Sequence, residues 1–261
     1  MEVFTKEILI QKLKSISDKG WIPNARLGNS GGVGNTLEDL LGIEENNLPI
    51  PNAAEWELKT RRMGSTSLTT LFHVEPSPRA VKFVPQILLP LYGWSHKEAG
   101  KMYSGEELSF RQTIHGGEFS SRGFKIAIDR VNRKVLVSFD STQVSKENLS
   151  WLKIVESKVG LGEVNPQPYW GFDDLEHKAG TKLLNAFYVF ADVKTVKRKE
   201  YYQYNHALML QEFDFNAFID ALERGKVLVD FDARTGHNHG TKFRIRQDYL
   251  PALYAKVTHI F

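Results

Sequence analysis

The chain has 261 residues, 41% apolar and 25% charged, which is long enough for a sizeable core and ordinary for a globular protein. Its formal charge of +3 excludes a global polycation, so any nucleic-acid surface must be a local patch. Cysteine is absent, excluding disulfides, thiolate zinc sites and a cysteine nucleophile, and the absence of a long apolar stretch points to a soluble, intracellular protein.

Residues 2–18 carry Val3, Phe4, Ile8, Leu9, Leu13 and Ile16 near a helical period, and Gly20 is a natural stop. The run from Leu27 to Gly34 is rich in glycine, but no lysine follows its last glycine, so it departs from the phosphate-cradling pattern Gly-x4-Gly-Lys-Ser/Thr. A connection that lets the backbone approach something closely is the favoured reading. Asn35 or Thr36 is expected to cap a short helix over 37–41, ended by Gly42. A turn region over 46–52 follows, and a strand carrying Glu57, Leu58 and Lys59 leaves it. Residues 66–72 alternate loosely and are expected to pair with that strand. Prolines 76, 78, 85 and 90 forbid one regular element there. Residues 123–129 and 134–140 alternate on either side of a polar turn, which predicts a β-hairpin. A helix over 175–184, a strand over 186–193, an amphipathic helix over 213–224 closed by Gly225, and a strand pair over 227–232 and 241–246 complete a mixed α/β pattern.

Glu57 and Lys59 project from one face of their strand, because side chains alternate. A carboxylate and an ammonium so placed can hold a divalent cation and a water before a phosphodiester, since magnesium prefers oxygen ligands. Glu38, Asn52 and Glu55 are the further oxygen donors of this candidate site. A solvated Glu/Lys strand face without metal is the plainer alternative, and spacing alone favours it. His237-Asn238-His239 reads as a polar loop, as base-edge donors and acceptors, or as an incomplete zinc site, in that order. Basic clusters at Arg61-Arg62, Lys194–Lys199 and Lys242-Arg244-Arg246 are each compatible with a solvated face. Several of them beside one acidic site suit a polyanionic substrate, and Tyr201 to Tyr204 add groups for phosphate and sugar.

Taken together, these residues resemble the MvaI/BcnI family of monomeric type II restriction endonucleases, relatives of the mismatch-repair nickase MutH. The resemblance runs through Gly20-Trp21, Gly34 to Leu41, Glu44 to Leu48, Pro51-Asn52, Glu57 to Thr60 and Ser67 to Phe72. It returns at Tyr201 to Asn205 and at His237 to Ile245. It implies a PD-(D/E)xK nuclease fold, with a central mixed β-sheet flanked by helices and two lobes around a DNA-binding cleft. The whole is expected as a single nuclease domain over 1–261. The catalytic lobe is expected mainly at 1–75 with parts of 105–145, and the DNA-reading lobe mainly at 165–261. It further implies Mg²⁺-dependent hydrolysis, with Mn²⁺ substituting in vitro, of double-stranded DNA at a short pseudopalindromic site of the CCWGG or CCSGG type. A monomer would nick the strands in sequence in a prokaryotic cytoplasm, with a cognate DNA methyltransferase as genetic partner. Carried over, Glu57 and Lys59 are the catalytic pair, Glu38 is the auxiliary acid, and Asn52, Glu55 and Glu57 are the metal donors. His237, His239, Arg244 and Asp230 fall where bases are read, with Arg61, Arg62, Lys242 and Tyr204 as further DNA contacts.

Two departures stand out. The family has Pro-Asp where this chain has Pro51-Asn52, and an amide brings no charge to a metal. An inactivated variant, a ligand moved to Glu55, and a DNA binder without cleavage are the competing explanations. The reading region has a shorter 230–237 connection and Asp232 where an arginine is expected, which leaves the recognised sequence open.

Overall fold

The computed structural model describes residues 5–26, 32–43 and 55–261. Thr5 caps α1 (Lys6–Ser17), its hydroxyl accepting from the Ile8 N–H at 3.3 Å. After β1 (Ile22–Pro23) comes α2 (Gly32–Leu41), which begins earlier than the expected cap at Asn35 or Thr36. Thr36 lies inside the helix because its hydroxyl is used elsewhere, accepting from the Ala25 N–H at 3.2 Å. A Cβ at Gly32 would collide with the Tyr202 hydroxyl and the Asn24 amide, so here the glycine does serve a close backbone approach.

The strand with Glu57 is β2 (Trp56–Arg62), followed by β3 (Leu68–His73). The proline-rich stretch breaks into a 3₁₀ turn at Arg79–Val81 and a π-helical turn at Val84–Leu88 that runs into α3 (Leu89–Tyr92). Then come β4 (Trp94–Ser95), β5 (Leu108–Ile114), the hairpin of β6 (Arg122–Asp129) and β7 (Lys134–Val144), α4 (Leu149–Val159) and β8 (Tyr169–Gly171). The chain continues through α5 (Phe172–Leu183), β9 (Asn185–Val196), β10 (Lys199–Phe213) and α6 (Phe215–Glu223). It ends with β11 (Val227–Arg234), β12 (His237–Asn238), β13 (Lys242–Arg246) and β14 (Tyr254–His259).

Two compact units divide these elements. The first spans Met1–Thr69, His177–Ala217 and Arg246–Phe261, and the second Thr70–Glu176 and Phe218–Ile245. The expected lobe limits depart from this division. Residues 105–145 belong with the second unit, while 177–217 and 246–261 join the first, because β2 finds its parallel neighbour in β9 rather than in a strand close in sequence.

In the first unit the described strands form a mixed sheet in the order β1-β10-β9-β2, with β14 also on β10. Leu9, Leu13 and Ile16 of α1, spaced to share one helical face, pack with Val33, Leu37 and Leu41 of α2 against Trp56, Leu58, Phe187, Val189 and Tyr204. Ala186 to Ala191 are buried without interruption, as befits a strand with a parallel neighbour and both faces covered.

The second unit holds a sheet in the order β3-β13-β11-β5-β4, with β12 on β11, and a smaller sheet of β6-β7-β8. β3 therefore pairs with β13 and not with β2 as expected. Its Leu71 and Phe72 are consecutive buried residues rather than alternating ones, and Phe72 stacks on Phe243 of β13 with ring centroids 5.1 Å apart. Phe110 is edge-on to both Phe124 and Phe231, tying the two sheets together through aromatic contacts.

Candidate functional site

β2 alternates between two environments. Trp56 and Leu58 enter the core beneath α1 and α2, so Glu57, Lys59 and Arg61 share the opposite face. Glu57 is only 2% exposed, and Lys59 Nζ donates to its Oε1 at 2.6 Å. The other oxygen, Oε2, is buried with no hydrogen-bond partner among the described residues, although the Lys182 ammonium at the end of α5 lies 3.6 Å away. Burying a carboxylate is costly unless opposite charge and hydrogen bonds compensate it. An orphaned buried oxygen, with two ammonium groups close by, is what a site for a divalent cation and a phosphate requires. The Tyr254 hydroxyl is buried nearby with no described partner, and burial, with the charge of Glu57, pushes its phenol well above the ordinary value.

The remaining expected donors stand as follows. Glu38 is half-buried on α2, and Glu55 is exposed in the turn just before β2. Asn52 lies outside the described residues. Among the described residues no three His, Cys, Asp or Glu side chains gather closely enough to hold a metal ion. The described part of the site therefore fits such an ion through Glu57 alone.

Arg61 forms an ion pair with Asp248 and lies 5.6 Å from the Phe190 ring centre. Arg62 makes a two-pronged pair with Glu200 at 3.0 and 2.9 Å. Hydrogen bonds from Arg62, then Tyr202, hold the Glu200 carboxyl below its ordinary value. Tyr204 is corrected outright as a DNA contact. It is 1% exposed on β10, and its hydroxyl donates to the Val33 carbonyl at 2.7 Å, which makes it part of the core under α2.

In the second unit β11 turns Val229, Phe231 and Ala233 inward and Asp230, Asp232 and Arg234 outward. Thr113 Oγ1 of β5 donates to Asp230 Oδ1 at 2.8 Å, and Arg244 of β13 donates to Oδ2 at 3.3 Å. Asp232, at the place where an arginine was expected, is met by Arg111 of β5, whose Nε donates to it at 2.7 Å; Lys242 stands 3.5 Å from its other oxygen. Partial burial works to raise the Asp232 carboxyl. The Arg111 hydrogen bond and the charges of Arg111, Lys242 and His239 outweigh it and hold the carboxyl below its ordinary value. The short connection from β11 is a tight hairpin turned at Thr235-Gly236, Gly236 taking φ +69°. It sets the rings of His237 and His239 4.3 Å apart on the wall of a cavity of about 550 Å³, shared with His96, Arg111 and Arg234.

Sequence reasoning missed Lys182, Arg111 and Thr113. Nothing near Lys182 in the sequence marks it, since it meets Glu57 only through the fold. Arg111 and Thr113 had a signal: Leu108, Phe110 and Ile114 alternate with polar residues, which is the mark of a half-buried strand.

The chain matches the MvaI/BcnI restriction endonuclease family over residues 10–254. Among solved structures it is similar to the restriction endonuclease MvaI in complex with its cognate DNA substrate. Sequence identity there is 27%, 99% of this chain and 100% of that one are covered, and the TM-score is 0.76. It is also similar to the restriction endonuclease MvaI in the absence of DNA, with 26% identity, complete coverage of both chains and a TM-score of 0.57. Among curated proteins nothing matches.

Proposed function

The chain belongs to the MvaI/BcnI restriction endonuclease family, and from that premise we propose that it hydrolyses phosphodiesters of double-stranded DNA at a short pseudopalindromic site, as a Mg²⁺-dependent type II enzyme. The observation that carries the chemistry is the Glu57 carboxylate, buried, bonded to Lys59 through one oxygen and with no hydrogen-bond partner for the other among the described residues. Mg²⁺, when bound at Glu57 with help from the 52–55 segment, supplies a Lewis acid and a water of lowered pKa. Mn²⁺ is expected to replace it in vitro. Lys59, fixed by Glu57, orients the attacking water and offsets charge that builds on the phosphate. Lys182 adds a second ammonium, 3.6 Å from the other oxygen of the carboxylate. Because this face of β2 is largely closed to solvent, these charges act at low dielectric and count for more than on an open surface.

Asp230, Arg244, His237 and His239 supply the donors and acceptors for reading base edges, and Lys242 supplies positive charge toward the backbone, to which Arg61 and Arg62, paired with Asp248 and Glu200, add little. The active form is a monomer that nicks the strands in sequence at a site of the CCWGG or CCSGG type, on a PD-(D/E)xK scaffold related to MutH. It works in a prokaryotic cytoplasm beside a cognate methyltransferase. A second reading, a DNA binder without cleavage, has one observation in its favour: the neutral Asn52 stands where an acidic ligand is expected.

Digestion of unmethylated plasmid with Mg²⁺, by the chain, its Asn52→Asp variant and a Lys59→Ala control, separates the readings. Discrete fragments that vanish with Lys59→Ala support the endonuclease, and a gain on Asn52→Asp marks the amide as a weakened ligand. An intact plasmid even with Asn52→Asp, beside tight gel shifts, would leave the DNA binder standing.

A further inference from the structure

The outward face of β11 carries two cross-strand triads. Thr113, Asp230 and Arg244 form one, and Arg111, Asp232 and Lys242 the other. In each, both carboxylate oxygens are engaged from the flanking strands, so the face is left presenting donors. The two arginines differ in one respect. Arg244 reaches its aspartate through a terminal nitrogen, whereas Arg111 is held through Nε. A guanidinium bonded through Nε leaves the parallel pair of N–H donors at its end, one from each terminal amino group, unused by that bond. Arg111 is 53% exposed and lines two cavities at once, the one of about 550 Å³ with His237 and His239, and a neighbour of about 430 Å³ with Gln112, His115 and Arg122.

We propose that Arg111 is a specificity-determining residue that reads the O6/N7 edge of a guanine in the major groove, with Asp232 as the residue that positions it. The inference rests on the DNA-cleaving function proposed above. A fork of two N–H donors fits either the guanine edge or a phosphate. The nearby carboxylate decides between them. Asp232, 2.7 Å from Nε and shared with Lys242, repels an approaching phosphate, but it does not oppose a neutral base edge. What it contributes is orientation, which matters for hydrogen bonds to a base and little for a backbone contact.

The test uses the full chain without Mg²⁺. Equilibrium selection from a randomised duplex pool first identifies the preferred site, and that duplex is then remade with 7-deazaguanine at each guanine in turn. For the parent chain, one guanine is expected to be sensitive, with affinity falling about tenfold when N7 is removed. In Arg111→Ala, overall affinity for the site falls about tenfold to a hundredfold, and the 7-deaza substitution at that guanine has no further effect. Arg111→Lys keeps the charge without the fork and should not restore the preference. Asp232→Asn should blunt it at the same base pair alone. Thermal melting of each variant tracks folding, and Arg111→Gln serves as a second variant if alanine destabilises the sheet.

A uniform loss on every duplex, with a shallower dependence on salt, would make Arg111 a phosphate contact and overturn the proposal. Unchanged selectivity in Arg111→Ala and Arg111→Gln would make it a plain surface ion pair, and would leave the nuclease reading intact. A parent chain that prefers no sequence at all overturns both.

Discussion

Lys59→Met tests whether Glu57 is the buried charge on which the catalytic reading depends. Among the described residues Lys59 Nζ makes the one hydrogen bond to this carboxylate, at 2.6 Å, and the pair is closed in, with side chains 13% and 2% exposed. Removing one partner of a buried ion pair costs about 3–5 kcal/mol, because the charge left behind has lost its compensation. Lys182, 3.6 Å from the other oxygen, remains and places the expected loss at the lower end, about 3 kcal/mol. At about 2–4 °C per kcal/mol for a chain of this size, melting should fall by about 6–12 °C. The double variant Glu57→Gln/Lys59→Met removes the buried carboxylate together with its hydrogen-bond partner and should recover at least half of that loss. Differential scanning calorimetry at pH 7 reads both. Mg²⁺ at about ten times its dissociation constant should raise the melting temperature of the parent chain through mass action, by about 1.4 kcal/mol of stabilisation, and should do nothing to Glu57→Gln. If Lys59→Met melts with its parent, or the double variant is worse than the single one, Glu57 is not a buried charge held by Lys59. The catalytic geometry argued here then fails.

Three further outcomes follow from particular contacts. Tyr204→Phe strips the Val33 carbonyl of its side-chain donor and should cost about 1 kcal/mol in urea unfolding while leaving DNA affinity within about twofold. A variant that lost DNA binding but kept its stability would return Tyr204 to the surface. Lys197 and Arg198 both take positive φ, 49° and 64°, in the two-residue turn between β9 and β10, where Asn-Gly is preferred. Replacing them with Asn-Gly should stabilise the chain by about 1 kcal/mol, and a lower melting temperature would contradict that reading of the turn. Glu200, its carboxyl held low by Arg62, contributes stability that is complete above the ordinary carboxylate pKa of about 4.3 and is lost as pH falls through the lower folded value. Glu200→Gln should therefore be less stable than the parent at pH 7 and converge with it in acid. Parallel stability curves from pH 7 to pH 3 would refute the linkage.

The elements most legible in the sequence are those whose signals are local. The β6-β7 hairpin follows from two alternating runs, and α1 from an apolar stripe at 9, 13 and 16. β9 is legible as a strand from its β-branched and aromatic run. The strand that pairs with it, β10, is hidden by the turn before it. Lys197-Arg198 sits in a charged run and carries no turn signal, although the backbone there takes the left-handed conformation. The same absence of a local signal explains β3. Its loose alternation suggests a neighbour for β2, but the choice of partner is made by Phe72 finding Phe243, far along the chain.

For the site, alternation along β2 is enough to place Glu57 and Lys59 side by side, and alternation along β11 enough to turn Asp230 and Asp232 away from the core. It cannot say what stands opposite. That is why Arg61 and Arg62, read as free cations for DNA, are each already matched by a carboxylate, Asp248 and Glu200, from elements distant in sequence. It is also why Tyr204 looked like a surface aromatic while its hydroxyl is spent on the backbone of α2. A charged residue on a strand announces its face, but its availability depends on the neighbouring strand. By that criterion Arg111, anchored through Nε and half exposed, is a better candidate for reading DNA than the arginines beside Glu57 and Lys59.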